Sequence, residues 1–210
     1  MSRWLPSSRL LPEPRRPFFG RDDKRLRLEL LTLDTEDGQR WDGLLYLPPG
    51  AGGRRTVARP AVVVVHGSIG NFLSGVPRTV SFGLAQAGHP VLSINTRMAN
   101  YGVFFGGGLL HRTPLDIDPA LALLRRRGYE RIVLLGYSMG ATMVTNYQAL
   151  RQAPEVAGLC TVAHPLSLPD SLRRRWVRYG ARPSYEKVAR RARERLMPDP
   201  ERSERDEIFV

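Results

Sequence analysis

The stretch RIVLLGYSMGATMVTNYQALRQ (131–152) decides how the rest of the chain is read. Its first part, RIVLLG (131–136), is a short continuous apolar run, as expected of a strand buried on both faces. Its last part, ATMVTNYQALRQ (141–152), reads as a helix. Between them, Gly136-Tyr137-Ser138-Met139-Gly140 matches G-x-S-x-G. Three fixed positions in five arise easily by chance, so the specificity comes from the strand before and the helix after. Such a sharp reversal forces the serine into a strained backbone conformation. Side chains at the flanking glycine positions would strike the adjoining strand and helix. In return, Ser138 Oγ stands exposed at a strand end beside a helix N-terminus, whose amides favour developing negative charge. The bland alternative is a tight strand–helix turn with an incidental serine.

Outward from this turn, strands and helices alternate. ARPAVVVVHG holds the β-branched run Val62–Val65, a second buried strand, which leads into His66-Gly67-Ser68-Ile69-Gly70-Asn71. RTVSFGLAQAG (78–88) reads as a helix ended by Gly88, and HPVLSINTR (89–97) as a buried strand. After a loop rich in glycine and aromatic residues, DIDPALALLRRRGY (116–129) is an amphipathic helix closing at Gly128, and VAGLCTVAHP (156–165) is a further strand. This alternation predicts an α/β fold with right-handed crossovers and a mostly parallel sheet flanked by helices. Towards the N-terminus, LRLELLTLDT (26–35) and WDGLLYLP (41–48) flank the turn dipeptide Asp37-Gly38 and predict an antiparallel strand pair.

The chain divides into an irregular N-terminal arm at 1–23, a core at 24–165 and a helical, arginine-rich, lid-like segment at 166–210. That last segment reads as two helices broken between Gly180 and Pro183, and no strand of comparable strength follows except IFV (208–210).

The 210 residues are long enough for one substantial core. The formal net charge of +12 raises the question of nucleic acid. Only Lys24 and Lys187 are lysines, however, so the excess is arginine, a preference that GC-rich coding would also produce. Much of it sits in SLRRRWVRYGARPSYEKVARRARER (171–195), with no nucleic-acid-binding motif around it, so no specific nucleic-acid partner is expected. The lone cysteine, Cys160, lies in an apolar run; it is expected to be a buried thiol, without an intramolecular disulfide, suited to a reducing compartment. No apolar run approaches the roughly 20 residues of a membrane span. Prolines and arginines break every apolar cluster of the N-terminus, so neither a secretory leader nor a membrane span is expected and the cytoplasm is the default location.

Residues 60–165 resemble the core of the α/β-hydrolase superfamily. The resemblance rests on the HG loop at His66-Gly67, the N-x-R segment Asn95-Thr96-Arg97 and the G-x-S-x-G turn, in that order. Within the superfamily, the INTR segment, the glycine-rich loop and a D-x-x-x-A-L helix are similar to small esterase and peptidase-like members. The helix motif draws on Asp116 or Asp118 with Ala120 and Leu121. Met98 departs from the pattern, because many relatives carry glycine after the arginine.

The resemblance implies a serine hydrolase acting on a carboxylic ester, thioester or amide through a Ser138 acyl-enzyme, with no metal or organic cofactor. It implies an oxyanion hole made by the backbone N–H groups of Ser68 and Met139. His66 is expected to be structural, and Arg97 to pair with Asp116 or Asp118 as scaffold. His164, His111, Asn71 and Tyr137 are the candidates to line the pocket of a small acyl substrate.

The chain order implied by the superfamily is serine, then acid, then histidine. Beyond Ser138 the only histidine is His164, and Asp170, Asp199 and Asp206 lie in charged or helical surroundings. The chain therefore reads as lacking the last strands and, with them, the triad acid and histidine. The strand at 156–163 would be left as an open apolar edge, which calls for an oligomer or a partner to cover it. Segment 166–196 fits a lid with Leu172, Trp176, Val177 and Tyr179 towards the pocket, or an ordinary amphipathic surface helix. The alternative to an enzyme is a non-catalytic, truncated relic or binding protein that keeps the pocket.

Overall fold

The computed structural model describes residues 26–49, 59–100 and 110–196. The arm at 1–23, the Gly106–Gly108 run and the terminal IFV lie outside these residues. Strand β1 (Arg27–Asp34) turns into β2 (Arg40–Leu47) as an antiparallel pair. The turn is closed by Thr35, whose Oγ1 donates to Asp37 at 2.5 Å and accepts the Gln39 amide at 2.9 Å. Gly38 takes φ +78°, which a β-carbon would disfavour.

Four further strands, β3 (Ala61–Val65), β4 (Val91–Ile94), β5 (Ile132–Tyr137) and β6 (Val156–Val162), complete one sheet in the order β1-β2-β4-β3-β5-β6. The last four of these run parallel, and β2 joins them antiparallel to β4. The architecture is a mixed, mostly parallel sheet flanked by helices.

All five residues of β3 are buried, and its alternation sorts them between two cores. Val63 and Val65 join Leu45, Ile94, Leu134 and Met143 on the face covered by helices α2 (Thr113–Arg126) and α3 (Met139–Arg151). Val62 and Val64 join Tyr46, Val91 and Leu135 beneath helix α1 (Gly75–Gln86). Two helices starts fall earlier than their apolar periodicity suggests, at Gly75 and Thr113. Each carries a proline in its first turn, Pro77 and Pro114, where a missing N–H costs nothing.

The exit side of the sheet differs from the sequence-based expectation. Cys160 is exposed, not buried. Among the described residues, strand β6 pairs only with β5, and no helix covers it as completely as the inner strands are covered, so an apolar run here is not a buried run. Leu159 on the same strand is 42% exposed.

After β6 come helices α4 (Leu168–Arg178) and α5 (Tyr185–Leu196). They pack on each other, with Trp176 edge-on to Tyr185 and its indole N–H donating to the Pro183 carbonyl at 2.7 Å. They pack no more than marginally on the rest of the described residues. Helix α4 buries none of its residues, so Leu172, Val177 and Tyr179 are largely exposed to solvent. Among the described residues, no helix is long and apolar enough to cross a membrane.

Candidate active site

The C-terminal ends of β3, β4 and β5 bring three loops together, and the turn after β5 carries Ser138. Its backbone sits at φ 55° and ψ −119°, well away from the conformations ordinary residues favour. Ser138 N–H donates to the Val162 carbonyl at 2.8 Å, and its own carbonyl accepts the Ala141 amide at 3.0 Å. The residue is thus clamped between β6 and the first turn of α3. The two glycines are required sterically. A β-carbon on Gly136 would lie 2.5 Å from Ala141 Cα, and one on Gly140 would lie 2.5 Å from the His66 carbonyl oxygen. Helix and strand can meet this closely only without those atoms.

The loop after β3 runs directly against the serine. A β-carbon on Gly67 would come 3.0 Å from Ser138 Cβ and 3.5 Å from its Oγ. Several side chains hold this loop. Asn95 Oδ1 accepts the Phe72 amide at 3.1 Å, and Ser93 Oγ donates to the Phe72 carbonyl at 3.2 Å. Asn71 donates through its side-chain amide to Asn100 at 2.8 Å and accepts from Leu73 N–H at 2.9 Å. The amides of Ser68 and Met139 have no acceptor among the described residues; Met139 opens α3, whose first N–H groups have no partner within the helix.

His66 belongs to this scaffold. It is fully buried, with Nε2 accepting the Thr96 amide at 3.1 Å. That assignment makes Nδ1 the protonated nitrogen, which donates to the Gly67 carbonyl at 2.7 Å. Burial pushes its pKa below the ordinary value, so the neutral ring is the stable form. Both nitrogens are engaged in holding the ends of β3 and β4, and neither reaches Ser138 Oγ.

Of the two carboxylates that could pair with Arg97, the structure selects Asp116. Arg97 donates to it from Nε and Nη2 at 2.9–3.1 Å and from its backbone N–H at 2.9 Å. Trp41 Nε1 adds a fourth donor group at 2.9 Å. Burial works against the charge on Arg97, but its hydrogen bonds to Asp116 prevail and hold its pKa above the ordinary value. Arg97 also reaches Asp37 of the β1–β2 turn at 3.0 Å. One ion-paired cluster therefore ties the hairpin, the β4 exit and α2 together. Asp118 faces elsewhere, bonding Tyr147 Oη at 2.9 Å and Arg151 at 2.8 Å.

The remaining sequence candidates are dispersed. His164 is exposed two residues past Val162, so it stands on the same rim as Ser138, beyond a left-handed Ala163 (φ 52°). His111 is exposed in a short 3-10 turn (Leu110–Arg112). The Asn71 side chain is occupied by Leu73 of its own loop and by Asn100 beyond β4, and Tyr137 is half-buried at the end of β5. Among the described residues, no side chain hydrogen-bonds Ser138 Oγ. An open cavity of about 610 Å³ lies away from the serine, on the α1 face, lined by Leu28, Leu44, Tyr46, Leu73, Arg78 and Phe82.

Sequence reasoning assigned no role to Thr96 or Trp41, and to Asp37 only a place in the turn; each holds a key group. The sequence reading leaves Asp116 and Asp118 open; the signal that separates them is that Asp116 falls in step with Ala120 and Leu124 on the buried face of α2.

No protein-family model matches the sequence, and the curated proteins give no significant match. Solved structures do match. An esterase of Pyrococcus furiosus, Pf2001, superposes with a TM-score of 0.58 at 18% identity, over 75% of this chain and 58% of its own. Est1E of Butyrivibrio proteoclasticus gives 0.55 at 18% identity, over 69% and 54%. The hypothetical protein PA2218 of Pseudomonas aeruginosa gives 0.60 at 16% identity, over 84% and 55%. Across its three crystal forms, the chain spans 53–60% of the length of the Pyrococcus esterase. These likenesses establish the α/β-hydrolase fold.

Proposed function

We propose that this chain carries the nucleophile side of a serine hydrolase that cleaves a carboxylic ester, thioester or amide through an acyl-enzyme on Ser138. The observation that carries the reading is the strained Ser138 backbone, held against a glycine loop at the N-terminus of α3. Strain of this kind persists where the surroundings over-determine it, and such sites are concentrated at centres of chemistry. In this reading Ser138 Oγ attacks the carbonyl carbon, the leaving group departs with a proton, and water releases the acyl group. The Ser68 and Met139 amides stabilise the oxyanion; such a donor is commonly worth about 3–4 kcal/mol of barrier. Small acyl substrates fit the reading, since one of the matching folds is named an esterase and another, Est1E, is known with ferulic acid bound. A cytoplasmic setting accompanies this proposal, as does the division into core (24–165) and lid-like segment (166–210).

A second reading is favoured by one observation: among the described residues nothing hydrogen-bonds Ser138 Oγ to act as its base. A chain that keeps the elbow without a base is a binding protein or a relic of an enzyme. Fluorophosphonate labelling of the folded 210-residue protein, read by intact mass with Ser138→Ala beside it, separates the two. The hydrolase reading expects one adduct on the parent and none on the variant, with His164 the first base to test. A folded parent that takes no adduct rejects an activated serine in this polypeptide.

A further inference from the structure

Helices α4 and α5 remain unexplained by the site. Residues 166–196 hold ten arginines and lysines against three acidic residues, seven of the chain's twelve net positive charges. Pairing neutralises little of this. Arg173 meets Glu186 at 2.8 Å and Arg190 meets Glu194 at 3.9 Å. Arg174, Arg175, Arg178, Arg191 and Arg193 have no acidic partner among the described residues. The same segment leaves large apolar side chains in solvent. Leu166 is fully exposed, Tyr179 76% and Leu172 50%. Leu172, Arg175 and Tyr179 follow one another at helical spacing, so they form one stripe of apolar and basic groups.

From this combination we propose that the α4–α5 hairpin docks on an anionic phospholipid surface. A basic helix with an exposed apolar stripe lies in the membrane interface, with its apolar groups among the upper acyl chains and its cations at the headgroups. Arginine suits the task, since its aliphatic stem can cover apolar surface while the guanidinium stays in the polar layer. Nucleic acid is the other polyanion that such charge attracts, but phosphate-backbone binding makes no use of exposed leucines. The hairpin begins six residues after Val162, whose carbonyl holds the Ser138 amide. Docking therefore keeps the strand end that holds Ser138 within a short connection of the lipid surface. The inference stands whether or not Ser138 is a nucleophile.

The test is co-sedimentation of the full chain with vesicles of phosphatidylcholine alone and with added phosphatidylglycerol, alongside a short single-stranded RNA measured by anisotropy. Binding to the anionic vesicles is expected to exceed binding to neutral ones and to weaken as salt rises. Arg174→Gln with Arg178→Gln should lower vesicle partitioning about 10–30-fold, given roughly fivefold for each cation near the surface. Leu172→Ser with Tyr179→Ser should lower it several-fold and leave RNA binding unchanged. All these positions lie outside both buried cores, and circular dichroism checks the fold of each variant. Equal partitioning into neutral and anionic vesicles overturns the proposal. So does an apolar double variant that binds anionic vesicles like the parent, or an affinity for RNA with none for vesicles.

Discussion

Strands β3 and β6 are both apolar, both belong to one sheet and both run in the same direction, yet all of β3 is buried and none of β6 is fully so. The difference lies in their neighbours. Strand β3 is paired on both sides and packed from both faces, by α1 on one and by α2 with α3 on the other; among the described residues β6 has one paired neighbour and partial cover. Apolar composition thus reports what a strand can do, and its surroundings decide what it does. The same contrast separates the ion-paired cluster at Asp116 from the surface pairs of α4 and α5.

The strongest way to break this comparison uses two glycines. Gly140→Ala would drive a methyl group into the backbone of Val65 and His66, and is expected to cost about 4 kcal/mol or more, or to prevent folding. Gly158→Ala on β6 has open space around it and should change stability by no more than about 0.5 kcal/mol. Urea unfolding of the two variants measures both; equal effects would mean that β6 is as closely packed as the interior.

A smaller difference is expected between charges. Asp116→Ala strands a buried Arg97 and should cost about 3–5 kcal/mol, whereas Arg173→Ala, in an exposed pair, should leave the urea midpoint unchanged. The mildest effect comes from His66. Burial lowers its pKa in the folded protein, while the unfolded chain titrates at about 6.5. Below that pH the unfolded state binds the extra proton, so stability is full above about pH 6.5 and falls as pH drops towards the folded value. Unfolding midpoints between neutral pH and about pH 5 should show this slope, and His66→Gln should flatten it.

Much of the sheet was legible because each inner strand announces itself by a short β-branched run bounded by turn residues, as Val62–Val65 does before His66-Gly67. The strand–turn–helix at Ser138 was legible because three residue types at fixed spacing coincide with a strand-to-helix change. The exposure of Cys160 was not, because it depends on what lies beside β6, and no local pattern records that. The solvent-facing side chains of α4 were obscured similarly: Leu172, Trp176 and Tyr179 have the spacing of a buried stripe, and only Trp176 finds a partner, in α5. Thr96 and Trp41 were missed because their roles arise from hydrogen bonds across the fold, Thr96 to a residue 30 positions away and Trp41 to one 75 positions away.

The left-handed geometry at position 138 bears on selection as well as on chemistry. Glycine would adopt φ 55° and ψ −119° with less strain than serine, so serine is the less stable choice for the folded state. Selection for stability alone would replace it. A lineage that retains serine there carries a standing load against thermal robustness, which only a use for the hydroxyl offsets. Under the proposed acyl-enzyme role, position 138 is a place where fitness for reaction and fitness for folding favour different residues.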